Sequence, residues 1–385
     1  MNQGESDAWQ QALRSVIAPY LLSRLWCAIF VYWGHANHPY LIAYTGGWEG
    51  VSHWWLNAWT SFDSKYFIDI AAHGYNAGSA AFFPLYPFVL KLAGTDPIAI
   101  AAWGIVVSNA AFLSGLLVFY RLTEWEYSAP IAEKATWLLA FFPTCVIFSA
   151  VYTESLFLLL VVSTFWCVRR NRWFWAAAFA FLAALTRNVG PVLFLAFAAG
   201  WITYNRSTPA RQKWPSLGVV FAPLLGFLVV QLYFQQKLGI WMASVAAQNS
   251  FQGGSRHINW PWQPLAHDIA ALFAPGGLNL LYLLSIATCL LAFVLCARHY
   301  KTQPASYSVF LLGVLMLHLI FTTGRDAQTV DAMRYMSTTF PFMQWLALDL
   351  QFISANRIRR AIGLAMLLLV SAIFAYSFGI KTYVS

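Results

Sequence analysis

The sequence predicts an all-α protein that crosses a membrane many times. Of its 385 residues, 60% are hydrophobic and only 10% are charged, and the mean hydropathy is +0.59. A soluble domain is roughly 45–50% apolar and about 25% charged, so this few charges could not cover the surface of a soluble fold. Apolar stretches near the length of about 20 residues that a spanning helix needs recur along the chain. A soluble enzyme, a disordered protein and a nucleic-acid binder are therefore disfavoured.

Ten or eleven segments are candidate spans. They are 17–34, 98–120, 136–150, 152–168, 173–188, 190–204, 216–235, 278–297, 305–323, 336–352 and 361–380. Each of the hairpins 136–168 and 173–204 is either two short spans or one broken unit. Pro143 and Pro191 stand where the breaks would fall, because proline interrupts the hydrogen bonding of a helix.

Basic residues between the spans predict the orientation. With the N-terminus in the cytoplasm, short inner loops collect most of the lysine and arginine, as the positive-inside rule requires. The inner-loop residues are Arg121, Lys134, Arg169, Arg170, Arg172, Arg206, Arg211, Lys213, Arg298, Lys301, Arg357, Arg359 and Arg360. They account for most of the net charge of +9, so that charge needs no nucleic-acid partner.

Two outer loops are long, about 35–97 and about 236–277, and long loops in a compact protein are usually functional. In the first loop, TSFDSKYFIDIAAHGY predicts a short interfacial helix that stops at Gly74, because its apolar residues recur near helical spacing. The following AFFPLYPFVLKLAG predicts a second short helix that ends near Gly94. No separate soluble domain is indicated, so residues 1–385 are predicted to form one transmembrane domain.

Charged and polar side chains predicted on the outer side fall in five separated segments. They are Asp63, Lys65, Asp69, His73, Glu154, Arg187, Asn188, Lys237, Arg256, His257, His267, Asp268, Arg325, Asp326, Asp331 and Arg334. Charges near apolar spans are costly, so they usually pair, line a cavity or act in function. One membrane face therefore carries a mixed set that is a candidate site.

Some of these charges have a simpler structural explanation. Asp69 and His73 stand four apart on a helix and can pair, and Asp331 and Arg334 stand three apart and can do the same. Glu154 lies among apolar residues at a proline-broken hairpin, which favours a functional role or a functional salt bridge. Solvation or a helix hydrogen bond explains three histidines, which are His257, His267 and His318.

Asp63 is the leading candidate for a catalytic group. It stands at the start of the interfacial helix, where the helix dipole favours the ionised carboxylate. Such a carboxylate at a membrane surface suits a general base for an acceptor hydroxyl. The competing interpretation is that Asp63 only caps the helix.

The complementary feature is a set of basic residues, Arg187, Arg256, Arg325 and Arg334. Guanidinium groups bind phosphate in a bidentate manner, so these residues are candidates for a phosphate clamp. A carboxylate together with a phosphate clamp at the lipid interface suggests group transfer from a lipid-linked phosphate.

These motifs resemble the GT-C glycosyltransferases, and more closely the PIG-V or GPI mannosyltransferase 2 family with its bacterial relatives. FDSKYFIDIAAHGY (62–75) and AFFPLYP (81–87) are similar to the first-loop signature. Three later pieces fit as well, which are FFPTCVIFSAVYTESLF (141–157), TRNVG (186–190) and RYMSTTFPF (334–342). Two departures are Phe62, where tryptophan is common, and TRNVG in place of a TRSNG-like pattern.

The resemblance implies a GT-C type fold of about 10–11 transmembrane helices, with two juxtamembrane helices in the first outer loop. It implies a polyprenyl- or dolichyl-phosphate sugar donor, usually mannose, and transfer with inversion. The family's aspartate falls on Asp63 as the expected base. Substrate binding is expected of Glu154, Arg187, Asn188, Arg334, Tyr335, Asp69, His73 and Arg256. No cofactor is clearly required, and a divalent cation is compatible with the chemistry but not indicated.

The implied partners are a lipid-phosphate sugar donor, membrane lipids, and a glycolipid, glycan or protein acceptor, with no nucleic acid. A bacterial plasma membrane with the site facing outside is favoured, or the ER membrane in a eukaryote. Two alternatives remain open. One is a transferase for another polyprenyl-phosphate sugar, such as arabinose or glucose. The other is a lipid-linked-sugar transporter or flippase, which the one-sided charges and the lack of an internal repeat disfavour.

Overall fold

The computed structural model describes residues 3–37, 51–204, 214–250, 257–273, 280–322, 329, 331–353 and 357–381. Within these residues the fold is helical, apart from two strands of two residues each, β1 (His257–Ile258) and β2 (Phe321–Thr322), which pair antiparallel. The predicted all-α class is confirmed.

The α-helices of this part of the chain are numbered in chain order. They are α1 (Gln3–Asn37), α2 (Trp54–Asn57), α3 (Ser64–His73), α4 (Leu85–Leu90), α5 (Pro97–Glu126), α6 (Ala129–Ala140), α7 (Glu154–Arg169), α8 (Trp173–Thr186), α9 (Val192–Tyr204), α10 (Trp214–Leu238), α11 (Ala243–Ser250), α12 (Trp262–Leu272), α13 (Leu280–His299), α14 (Ala305–Ile320), α15 (Ala332–Ser337), α16 (Phe340–Ile353) and α17 (Arg357–Gly379). Short 3₁₀ helices span Gly78–Ala81, Lys91–Ala93 and Cys145–Phe148.

Five of the described helices are long and apolar enough to cross a membrane. They contain the segments Gly4–Asn37, Pro97–Glu126, Ser216–Leu238, Leu280–His299 and Ala361–Gly379. The helices α8, α9 and α14 are apolar but shorter. Large apolar side chains on α1, among them Leu21, Leu22 and Leu25, are more than half exposed, as expected of a surface that faces lipid rather than water.

Of the two alternatives for the hairpin 136–168, the structure has the broken unit, and 136–150 is not a continuous span. Helix α6 ends at Ala140, and the chain then runs through turns and the 3₁₀ helix Cys145–Phe148 before α7 begins at Glu154. Because Pro143 has no N–H to donate, a helix could not continue through it without losing a hydrogen bond. The apolar residues of this stretch are buried in the protein core. Their high hydropathy therefore reflects packing inside the protein and not contact with lipid.

The first long loop, about 35–97, has the two predicted helices. Helix α3 ends at His73, and Gly74 follows with φ +92°, a left-handed conformation that favours glycine. Helix α4 and the 3₁₀ helix Lys91–Ala93 form the second, and Gly94 follows with φ +95°. Residues 38–50 of this loop lie outside the described residues.

The chain forms two compact units. The first unit is Met1–His73, Tyr86–Trp166 and Met343–Val384. In it, α1 packs along α17 in a parallel direction: Trp26 Nε1 donates to Ser371 Oγ at 3.1 Å, and His35 Nδ1 lies 3.3 Å from the Gly379 carbonyl oxygen. Both helices therefore end at the same side of this unit.

The second unit is Gly74–Leu85 with Cys167–Phe342. In it, α8 packs against α10, and α9 packs against α14. A buried hydrogen bond between Gln231 Nε2 and Ser244 Oγ, 2.8 Å long, joins α10 to α11. An apolar core forms beside it from Ala80, Phe83, Val230, Phe234, Ala243 and Ala247.

Candidate active site

Asp63 directly precedes α3, and its carbonyl oxygen accepts hydrogen bonds from the backbone N–H groups of Tyr66 (3.0 Å) and Phe67 (3.3 Å). The residue before it, Phe62, has φ +52°. A left-handed conformation is costly for a bulky residue and persists only where its surroundings enforce it. The Phe62 ring packs edge-on against Phe378, with 6.0 Å between ring centroids. The backbone that presents Asp63 is therefore held in a defined, strained conformation.

The loop that carries Asp63 is tied to the loop that leads to Glu154. The Tyr152 hydroxyl donates to the Ser61 carbonyl oxygen at 3.3 Å, and Ser61 Oγ donates to the Phe378 carbonyl oxygen at 3.3 Å. All of these residues belong to the first unit. Two of the predicted motifs, separated in sequence, are thus brought together by hydrogen bonds to the backbone.

Glu154 is the first residue of α7 and is fully buried. Thr153 Oγ1 donates to its carboxylate at 3.3 Å, and the dipole of α7 stabilises negative charge at this end. Near it lies Tyr86, whose hydroxyl is 2.8 Å from Ser108 Oγ. Burial raises the pKa of Tyr86, the Ser108 hydrogen bond lowers it in part, and the Glu154 charge raises it, so this phenol stays protonated. Glu154 is therefore a buried carboxyl group beside a hydrogen-bonded pair of polar side chains.

Asp69 and His73 form the local pair that their spacing predicts, with Nδ1 and Oδ1 2.9 Å apart. Their side chains are 44% and 68% exposed. An exposed pair of this kind contributes little to the stability of the protein. Because both side chains are exposed, they are accessible from the surface of α3.

In the second unit, Arg187 and Tyr335 come together. Arg187 follows the last residue of α8 in an extended conformation and is only 8% exposed. Its guanidinium carbon lies 5.6 Å from the centre of the Tyr335 ring, and the Tyr335 ring is 4.9 Å from that of His318. Tyr335 thus lies between a cation and a tilted imidazole ring, and its contact with Arg187 favours a positive charge at that position.

The TRNVG turn positions Arg187 by a close backbone approach. The Gly190 N–H donates to the Arg187 carbonyl oxygen at 2.9 Å. A Cβ atom at Gly190 would lie 2.4 Å from Ala184 Cα and 2.8 Å from the Ala183 carbonyl oxygen, so only glycine fits.

We expect Gly190→Ala to lower the thermal unfolding temperature of the detergent-solubilised protein, with overpacking costing about 1–3 kcal/mol. Gly218→Ala is the matched control in α10. Its added Cβ would meet only the Ala177 Cβ, at 3.9 Å, and it is expected to be neutral or slightly stabilising. Equal melting temperatures for the two variants would contradict the close approach.

Two further predicted residues are neighbours of Tyr335 and Arg187 in the sequence. Arg334 lies next to Tyr335 on α15 and is half-buried, as is Asn188 beside Arg187. Arg256, Arg325 and Asp326 lie outside the described residues. Among the described residues, no group of three or more His, Cys, Asp or Glu side chains could hold a metal ion.

From the sequence, Asp268 is one of the predicted outer charges and His318 is a helix histidine, and neither is given a specific role in the site. His318 stacks on Tyr335, and Asp268 is fully buried and bound to Thr329. An isolated histidine in an apolar helix and an aspartate in a polar loop carry no local signal, because their partners are distant in sequence.

These features define a multi-span, all-helical membrane protein whose first loop presents a carboxylate and whose second unit holds a stacked, buried arginine. The sequence profile of the mannosyltransferase (PIG-V) family matches residues 12–250. The chain therefore belongs to the PIG-V mannosyltransferase family, which confirms the resemblance in the motifs.

Similar proteins include GPI mannosyltransferase 2 from two strains of Cryptococcus neoformans var. neoformans serotype D, JEC21 and B-3501A. Each is 31% identical over 142 residues, which is 34% of this chain and 33% of the relative. The matched region thus spans a third of the length of these relatives.

Solved structures with some similarity include the Archaeoglobus fulgidus oligosaccharyltransferase, tethered with an acceptor peptide and in the apo form. They are 12% and 13% identical, cover 95% of this chain and 55% and 56% of theirs, and both have a TM-score of 0.43.

Proposed function

We propose that the protein transfers mannose from a polyprenyl- or dolichyl-phosphate-mannose donor to an acceptor hydroxyl on the extracytoplasmic face of the membrane. The observation that carries this proposal is Asp63, presented at the start of α3 by the strained backbone of Phe62. Family membership supports mannose as the sugar. The GT-C fold type and a lipid-phosphate donor follow from the motif resemblance.

In the reaction, the acceptor hydroxyl oxygen attacks the anomeric carbon of mannose, and the Asp63 carboxylate takes its proton. The bond between the anomeric carbon and the phosphate oxygen breaks, and the lipid phosphate leaves with the electron pair. Attack from the face opposite the leaving group inverts the configuration. The start of α3 suits this role because the positive end of the helix dipole favours negative charge at that position.

Arg187 and Arg334 bind the departing phosphate and stabilise the charge that develops on it. The contact of Arg187 with Tyr335 supports this role, since it restricts the position of the guanidinium group before the donor binds. Arg256 is assigned to the same phosphate. Glu154, Asn188, Tyr335, Asp69 and His73 are assigned to binding the substrates.

The purified protein in proteoliposomes tests this function. With polyprenyl-phosphate mannose and a hydroxyl acceptor lipid, we expect mannosylated acceptor and free polyprenyl phosphate in equal amounts. Polyprenyl-phosphate glucose or arabinose should give little product. Preferential transfer of glucose or arabinose would contradict the assignment of a mannose donor. Movement of the intact donor across the bilayer without bond cleavage would indicate a flippase instead.

Labelling with a membrane-impermeant thiol reagent tests the orientation. Ala77 and Arg170 are exposed, and the five native cysteines are buried, so background labelling should be low. In intact cells we expect Ala77→Cys to label and Arg170→Cys to label only after permeabilisation. The reverse pattern would place the first loop, and the site with it, in the cytoplasm.

A further inference from the structure

A buried carboxylate in the second unit has no part in the reaction proposed above. Asp268 lies on α12 and is fully buried. Burying a carboxylate is expensive unless hydrogen bonds or a charge compensate for it, so its partners indicate what it does.

Both carboxylate oxygens of Asp268 have partners. Oδ2 accepts hydrogen bonds from the backbone N–H of Thr329, at 2.7 Å, and from the Thr329 hydroxyl. Oδ1 lies 3.1 Å from Nδ1 of the neighbouring His267. Two donors of one threonine are thus held by one oxygen, which fixes the position and the rotation of that residue.

Beyond the packing of α15 against α13 and α14, Thr329 is a further point at which that helix is anchored. Its carbonyl oxygen accepts the Ala332 N–H at 2.8 Å, which begins the first turn of α15, and it also lies 3.4 Å from His318 Nε2. Helix α15 is only six residues long, and a helix that short does not hold itself in place in isolation. Its position therefore depends on such contacts.

The residues that α15 presents are Arg334 and Tyr335, and Tyr335 supports the guanidinium group of Arg187. We infer that Asp268 is a positioning residue: by holding Thr329, it fixes α15 so that Arg334 and Tyr335 present the donor-phosphate site. This inference rests on the proposed function for its kinetic consequence but not for its structural one.

A second buried hydrogen bond in the same unit provides a matched control. Gln231 and Ser244 join α10 to α11 and are as buried as Asp268 and Thr329. Neither helix carries a residue that is assigned to binding the donor or the acceptor. Ser244→Ala should therefore cost stability without changing the affinity for donor, whereas loss of the Asp268–Thr329 contact should change both.

The experiment compares Asp268→Ala, Asp268→Asn, Thr329→Val and Thr329→Ser with the control in proteoliposomes. The first readout is hydrogen exchange of the α15 backbone, and the second is the split between KM for polyprenyl-phosphate mannose and kcat. For Asp268→Ala we expect faster exchange in α15 and a KM about tenfold higher, with a smaller change in kcat, because the phosphate-binding groups lose their preorganised geometry.

Conservative variants separate positioning from mere loss of stability. Asp268→Asn retains an oxygen that can accept both Thr329 donors, and Thr329→Ser retains the hydroxyl, so both should stay near wild type. Thr329→Val removes only the hydroxyl donor and should raise KM by roughly threefold, the lower range for one lost hydrogen bond. If Asp268→Ala does not fold, the exchange of α15 and the KM of Thr329→Val test the inference instead.

Unchanged exchange in α15, or faster exchange with an unchanged KM, overturns the inference. An equal rise of KM in Ser244→Ala also overturns it, because the effect would then be general. If the wild-type protein transfers no mannose from this donor, the proposed function fails. The anchoring by Asp268 is then tested by hydrogen exchange alone. Exchange of α15 at the wild-type rate in Asp268→Ala would contradict it, and faster exchange would support it.

Discussion

Replacing Asp63 by asparagine is expected to abolish mannosyl transfer while leaving the protein folded. Asparagine caps a helix about as well as aspartate, so α3 should keep its start. The amide cannot take the proton of the acceptor hydroxyl, and general base catalysis contributes typically about 10²–10⁴-fold in rate. The measurement is mannose transfer from polyprenyl-phosphate mannose in proteoliposomes, together with the thermal unfolding temperature.

A second aspartate at a helix start provides a control that distinguishes the two interpretations of Asp63, general base and helix cap. Asp96 precedes α5, and its carboxylate accepts hydrogen bonds from the backbone N–H groups of Ile98 (3.3 Å) and Ala99 (3.2 Å). Asp96→Asn makes the same chemical change at a helix start outside the candidate site, so it should transfer mannose at the wild-type rate. Near-normal turnover in Asp63→Asn would remove Asp63 from the mechanism and leave the capping interpretation.

The helix that follows Asp63 was predictable from the sequence, but the backbone conformation of the residue before Asp63 was not. Apolar spacing and Gly74 predicted α3 from the local sequence alone. The left-handed conformation of Phe62 was not predictable, because phenylalanine has no preference for it. It depends on Phe378, at the far end of the chain, and a tertiary contact of that kind leaves no local signal.

The stretch 136–150 shows why hydropathy overestimated one span. Its composition is that of a membrane helix, yet the residues after Ala140 pack inside the first unit. Arg24 of α1 holds this segment, donating to the Cys145 carbonyl oxygen at 3.1 Å and to Ser149 Oγ at 2.8 Å. An apolar core segment and a lipid-facing segment have the same composition, so only the structure distinguishes them.

The site followed the same pattern. Motifs identified Arg187 and Tyr335, since the TRN and RY pieces are continuous in sequence, and the structure stacks the two side chains. Asp268 was named only as one of the predicted outer charges and His318 only as a helix histidine, because the partner of each is a residue brought near by the fold.

The second large effect is expected at Arg187. Arg187→Lys keeps the positive charge but loses the planar fork that binds phosphate through two hydrogen bonds and stacks on Tyr335. We expect kcat/KM for polyprenyl-phosphate mannose to fall about 10²-fold, the size of effect seen when one preorganised donor to a developing charge is removed. A loss shared between kcat and KM would show that the contact acts in both the bound and the transition state.

Arg169 gives the control that decides between catalysis and packing. Its guanidinium carbon lies 5.4 Å from the centre of the Tyr307 ring, so the same unit holds a second arginine–tyrosine contact at nearly the same distance. Arg169→Lys breaks that stack without touching a predicted site residue, and its kcat/KM should stay within about twofold of wild type, as for most substitutions away from a site. If both variants lose the same activity, Arg187 serves only to pack the second unit. If only Arg187→Lys loses activity, losing an arginine–tyrosine contact is not by itself the cause. The difference between the two variants then measures the contact of Arg187 with the donor phosphate.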